Sequence, residues 1–77
     1  MNEFLIRLNT VDEIKEFVSI VNTFKADAVI KNEKYVVDAK SILGIFSLNL
    51  SSTLILTMEH PSEREVNLLK KYMVNDF

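Results

Sequence analysis

Few side chains in this sequence are equipped for chemistry. Cysteine is absent, and histidine occurs once, at His60 before Pro61. A thiolate nucleophile, a disulfide framework and a histidine-built zinc site are therefore excluded. The carboxylates do not cluster at metal-ligand spacing, so no metal site and no cofactor is expected. A single glycine, Gly44, leaves no Gly-rich phosphate loop, and no Ser/His/Asp arrangement can be assembled around one histidine. Glu63 and Glu65 follow Ser62 in a first turn and read as capping residues, not as a glycosidase acid and base. Lys70 and Lys71 suit the C-terminal end of a helix and read as a solvated pair. What remains is three hydroxyls, Thr10, Ser41 and Ser62, each standing in front of an apolar-periodic run. A hydroxyl there accepts a first-turn backbone N–H. A phosphate carried there would meet the same N–H groups and the positive end of the helix dipole.

The elements that position these hydroxyls follow from periodicity. Residues 4–8 alternate Phe4, Ile6 and Leu8 against Leu5 and Arg7, the period of a half-buried strand. Thr10 stands three residues before Glu13, a capping-box spacing. Behind it Val11, Ile14, Phe17, Val18, Val21 and Phe24 share one face of a helix over about 11–23. Two strands, 28–31 and 34–38, flank a hairpin at Asn32-Glu33, where asparagine is the better candidate for a positive φ. Ser41 caps a short helix, residues 53–59 alternate again, and Ser62-Glu-Arg-Glu65 repeats the capping box. The last helix is expected to end near Val74, with Val66, Leu69 and Met73 inward and Leu68 and Tyr72 widening the stripe. The order β-α-β-β-α-β-α predicts an α+β open sandwich, a four-stranded antiparallel sheet with three helices on one face. Its expected core is Ile6, Ile14, Phe17, Val18, Val21, Ile30, Val37, Ile45, Leu48, Leu56, Val66, Leu69 and Met73.

Composition supports one such domain over residues 1–77. A second core would need roughly 50 residues of its own, and the chain has 77, of which 48% are hydrophobic and 26% charged. Nine basic against eleven acidic residues give a net charge of −2, which offers no basic field for nucleic acid. The N-terminal run carries Glu3 and Arg7 and reads as neither a signal peptide nor a membrane span. A cytoplasmic protein, binding neither nucleic acid nor membrane, is the expectation.

The segment Ala39-Lys-Ser-Ile-Leu-Gly-Ile-Phe-Ser-Leu48 closely resembles the regulatory-serine region of HPr, the phosphocarrier family of the bacterial sugar phosphotransferase system, which reads A/L-K-S-I-M-G-V-M-S-L. Phe17-Val18, Phe24-Lys25 and Ala26-Asp27 fall, without a gap, where that family carries similar residues. The resemblance spans nearly the whole chain and implies the same β-α-β-β-α-β-α fold. The family's chemistry is not matched. Where it carries G-L/I-H-A-R-P-A around its phosphohistidine, this chain reads Leu8-Asn-Thr-Val-Asp-Glu-Ile14. Thr10 holds the histidine position, Asp12 the arginine position and Glu13 the proline position. A phosphoryl dianion at Thr10 would meet two first-turn carboxylates and no guanidinium. A threonine hydroxyl also lacks the reversible phosphoramidate chemistry of an imidazole.

The resemblance therefore implies a family member that does not carry phosphate on histidine and is not an enzyme, similar to the catabolite-repression branch that keeps the serine. Ser41 matches the serine that an HPr kinase phosphorylates; the plainer reading is an N-cap, which such phosphorylation would not exclude. Ile42, Leu43 and Phe46 match positions that the family uses to meet partners. They either form an exposed patch beside Ser41 and Thr10 or fold inward in a domain short of core. Phosphotransferase-system or catabolite-regulation proteins, together with an HPr kinase, are the implied partners, and the chain is expected to be a monomer or homodimer. Two other readings remain open. One is an active phosphotransferase component with an unrecognised acceptor such as Asp12. The other is a structural domain that self-associates through the apolar patch.

Overall fold

The computed structural model describes residues 2–74. Its elements run β1 (Asn2–Ile6), α1 (Val11–Val21), β2 (Ala28–Lys31), β3 (Val36–Asp38), α2 (Ile42–Phe46), β4 (Leu54–Met58) and α3 (Glu63–Leu68), followed by a 3-10 turn over Lys70–Tyr72. The class is α+β. The four strands form one antiparallel sheet in the order β1-β4-β2-β3, so the last strand is inserted between the first two.

The registers fix which side chains share a face. Phe4, Leu56, Ile30 and Val37 lie in one cross-strand row, with Ile6 opposite Leu54 and Met58 opposite Ala28 on the same side. This inner face joins one hydrophobic core with Ile14, Phe17 and Val21 of α1, Ile45 of α2, and Leu69 and Tyr72 after α3. Leu5, Val29 and Ile55 of the opposite parity are absent from that core, so the helices cover one face only. Complete burial of a side chain of the Phe17 or Ile45 kind is worth about 1.5–3 kcal/mol, and both are fully buried.

Several boundaries differ from the expectation, each for a tertiary reason. The first strand is Asn2–Ile6, not 4–8, because its length is set by pairing with Leu54–Met58. Leu8 is nevertheless buried beyond the strand end. The β2–β3 connection runs over residues 32–35, not two residues, and among the described residues only His60 has a positive φ. Asn32 contributes its side chain instead: Oδ1 accepts from the backbone N–H of Lys34 at 3.0 Å and of Tyr35 at 2.9 Å. The last helix stops at Leu68, well short of Val74. Leu69 leaves the helical region (φ −103, ψ 0), the 3-10 turn carries Tyr72 inward, and Met73 becomes extended to bridge Ile6. Tyr72 O accepts from Arg7 N at 2.9 Å and Leu5 O from Val74 N at 2.8 Å, bonds that a continued helix would forfeit. In the core, Val18, Val37, Val66 and Met73 are only partly buried and Val11 is exposed. Phe24, Ala28, Ala39, Leu54, Met58 and Tyr72 join the buried set.

Two carboxylates bolt the helices to the rest. Tyr72, packed edge-on against Phe17, donates its hydroxyl to Glu16 Oε1, which also takes Lys71 Nζ at 2.6 Å. The Lys71 and Tyr72 hydrogen bonds hold the Glu16 carboxyl below its ordinary value, and burial with the Glu16 charge pushes the Tyr72 hydroxyl up. Glu65, 8% exposed, closes the capping box of α3 by accepting Ser62 N at 2.9 Å, and reaches across the fold to Lys25 N at 3.0 Å. The Ser62 backbone hydrogen bond is the largest cause of its lowered pKa.

A depressed folded-state pKa adds stability above the unfolded carboxylate value, and that stability is lost as pH falls through the folded value. The ordinary value is 4.5. Between about pH 5 and pH 3, Tm should therefore fall more steeply for the wild type than for Glu65→Gln, which also melts lower at neutral pH. Circular-dichroism melts across that range check this; parallel curves would mean that Glu65 is not the anchor described.

Candidate functional site

The three hydroxyls all sit at helix starts. Thr10 is the N-cap of α1 in extended backbone (φ −132, ψ 160), and its Oγ1 accepts from Glu13 N at 3.1 Å. The box closes one residue early, since Glu13 Oε1 accepts from Asn9 N at 2.8 Å and not from Thr10. Asp12 stands exposed in the same turn. The start of α1 therefore carries two carboxylates, one folded back over the turn.

Ser41 is the N-cap of α2 (φ −103, ψ 108), with Oγ accepting from Gly44 N at 3.1 Å. The first turn behind it contains no acidic residue. Gly44 sits at a close approach: a Cβ there would stand 3.3 Å from both Ser41 Oγ and Val37 Cβ, so those neighbours would have to give by a few tenths of an ångström. The neighbouring Lys40 is turned away from the serine: its Nζ donates to Phe24 O at 3.1 Å. Lys40 O accepts from Asn22 Nδ2 at 3.1 Å, which pins the C-terminal end of α1 beside Ser41. Thr10 lies at the other end of that helix, about 18 Å away at 1.5 Å per residue. The structure does not bring the two hydroxyls together.

The apolar residues in and just after α2 divide. Ile45 and Leu48 are buried, and Ile42 is half-buried and packs on the core. Leu43 at 79% and Phe46 at 42% remain exposed. The patch beside Ser41 is thus built from Leu43 and Phe46, with Ile42 as its root.

Periodicity gave no sign of two further features. Thr57 belongs to the outer face of the sheet, as its alternation with Leu56 and Met58 indicates, yet it is buried with an unpartnered hydroxyl. His60 holds φ 47 at the exposed turn between β4 and α3, a left-handed conformation that only the tertiary turn imposes. Among the described residues no group of His, Cys, Asp and Glu side chains could hold a metal ion, and no helix is long and apolar enough to cross a membrane.

Fold and site define a class: a small open-faced α+β sandwich of β1-β4-β2-β3 order whose helices begin at hydroxyl caps. Residues 13–72 match the family model described as the PTS HPr component phosphorylation site, and the chain belongs to that family. Thr10 lies three residues before the matched span. Among solved structures, HPr-C-His from Thermoanaerobacter tengcongensis is similar with a TM-score of 0.78 and 25% identity, over 92% of this chain and 89% of that one. The phosphocarrier protein HPr from Bacillus anthracis str. Ames gives a TM-score of 0.71 and 28% identity over 95% and 94%. The catabolite repression containing protein Crh of Bacillus subtilis, described as a domain-swapped intertwined dimer, gives 0.59 and 28% over 86% and 75%. No curated protein sequence matches the chain.

If Ser41 works as a cap, Ser41→Ala should cost about 1 kcal/mol and Ser41→Gly only a few tenths. Urea denaturation followed by circular dichroism measures both. Equal losses for the two variants would place the stabilisation elsewhere in the serine.

Proposed function

We propose that this chain is a regulatory, protein-binding member of the HPr family that acts in the cytoplasm, carries no phosphate on histidine and catalyses no reaction. The observation that carries this reading is the start of α1. There Thr10 Oγ1 is engaged by Glu13 N, Glu13 is folded back on Asn9 N, and Asp12 stands beside them. A dianion entering that turn is opposed by both carboxylates, and the residue in the first turn where the family carries arginine is Asp12.

The start of α2 suits the opposite role. Phosphorylation of Ser41 would add about −1.5 to −2 charge to a first turn free of acids. With Lys40 Nζ held on Phe24 O, the new charge stands open beside Leu43 and Phe46. We read this face as the partner-binding surface, with Ser41 as its switch and an HPr kinase as the enzyme that sets it. Phosphotransferase-system and catabolite-regulation proteins are the partner classes. A partner that is acidic opposite Leu43 and Phe46 is released by phosphorylation, and one that offers arginines is recruited.

Two experiments test the halves separately. Incubated with enzyme I and phosphoenolpyruvate, the wild type should form no phosphohistidine. Thr10→His alone should recover little transfer, and Thr10→His with Asp12→Arg and Glu13→Pro clearly more. Full transfer by the single variant would refute the electrostatic account. In pull-downs from the source organism's lysate, the enzymatically phosphorylated protein and Phe46→Ala should each retrieve a different set of partners from the wild type. If all three retrieve the same proteins, α2 is core packing and nothing more.

A further inference from the structure

The outer face of the sheet, opposite all the helices, contains a groove that none of the preceding chemistry uses. It encloses about 510 Å³, within the range of pockets that hold small ligands or short peptide segments. Its floor is Val29 and Val36, and Val36 is 62% exposed. Asp27, Asp38 and Glu59 line it as well, and no lysine, arginine or histidine does. Lys31, the register partner of Val36, reaches across β4 to Glu3, the register partner of Thr57, at 3.9 Å, so its charge borders the groove already paired. None of the three groove carboxylates is in a salt bridge among the described residues. Glu59 N donates to Asp27 O at 3.0 Å, so two of the charges are held side by side by the backbone.

Thr57 is the independent sign of an occupant. It lines the groove opposite Val29 in the register, is 6% exposed, and its Oγ1 has no hydrogen-bond partner. An unpaired buried hydroxyl is destabilising, and valine would fill the same place on a strand without that cost. The oxygen is shielded as it stands, so a donor entering the groove would have to meet it through a change of χ1.

We propose that this groove docks an extended, arginine-bearing segment of a partner protein. Aliphatic side-chain stems cover Val29 and Val36, the guanidinium groups meet Asp38 and the Asp27–Glu59 pair, and an N–H donor satisfies Thr57 Oγ1. Arginine fits better than a lysine or a free oligoamine. Its guanidinium is weakly hydrated and forks onto carboxylates, whereas an ammonium would have to surrender tightly held water on a partly apolar floor. Alternate residues of an extended segment lie about 7 Å apart on one face, which lets two arginines reach the two acidic ends together. This surface is separate from the α2 patch, and the proposal does not depend on Ser41.

The probe is the blocked tetrapeptide acetyl-Arg-Ser-Arg-Ser-amide, titrated into the full chain at low salt and followed by amide chemical shifts. Shifts should concentrate at Val29, Asp38 and Thr57 and leave Leu43 and Phe46 unmoved. The peptide with citrulline in place of both arginines should bind about tenfold more weakly, as should the arginine peptide to Asp27→Asn with Glu59→Gln. Thr57→Val should weaken binding about three- to tenfold while raising Tm, a combination that mere structural damage cannot give. Absent binding, equal affinity for the citrulline peptide, shifts confined to α2, or unchanged affinity in the variants would each overturn the proposal. So would spermidine binding as tightly as the peptide, since that would make this a site for small oligoamines.

Discussion

The central strand β4 is the constraint on which the rest of this fold depends. It pairs with β1 on one side and β2 on the other, and Leu54, Leu56 and Met58 on its inner face are all fully buried. A sheet with one apolar face must have that face covered, and a short chain with five- and six-residue later helices can cover only one. Insertion of β4 between β1 and β2 then dictates the connections. The chain must cross the inner face after β1 and again between β3 and β4, and those crossings are α1 and α2. Thr10 and Ser41 stand at opposite ends of the sheet because β1 and β3 run in opposite directions, so the crossings that follow them begin at opposite ends.

What was legible in the sequence is what is local. Thr10, Ser41 and Ser62 are caps because a hydroxyl three residues before an N–H needs no distant partner, and all three make the bond. The inner-face phases of α1 and β4 were legible for the same reason, since periodicities of 3.6 and 2 survive any tertiary arrangement. What escaped are features decided by distant partners. The last helix yields to a 3-10 turn because Tyr72 must reach Glu16 and Met73 must pair with Ile6, residues more than fifty positions away. Thr57 looked like an ordinary outward strand residue, and only the assembled sheet shows it buried without a partner. In the candidate site Leu43 and Phe46 could be expected at the surface, whereas the half-burial of Ile42 depends on how closely Gly44 lets α2 approach β3.

The molecule thus presents two faces of different character. The helical face offers an exposed apolar patch, Leu43 and Phe46, with the Ser41 hydroxyl at the start of the same helix. The sheet face offers Asp27, Asp38 and Glu59 around exposed Val36. A domain of this size gains from such a division, since neither surface has to be cut into the core that stabilises it.

The three hydroxyl caps make the same bond, and what differs is what surrounds them. The first turn of α1 holds Asp12 and Glu13, and that of α3 holds Glu63 and Glu65. These acids stabilise their helix starts by meeting the free N–H groups and the dipole, and in doing so they fill the place a phosphoryl group would take. The first turn of α2 has no acid, and its one polar cap is Ser41 itself. A five-residue helix has only a small dipole, so a charge at Ser41 would depend on individual amides such as Gly44 N, which the serine oxygen already faces at 3.1 Å. The residues that make α1 and α3 secure are thus the ones that close them to phosphate. The helix least supported by its own first turn is α2, where the cap is the serine alone.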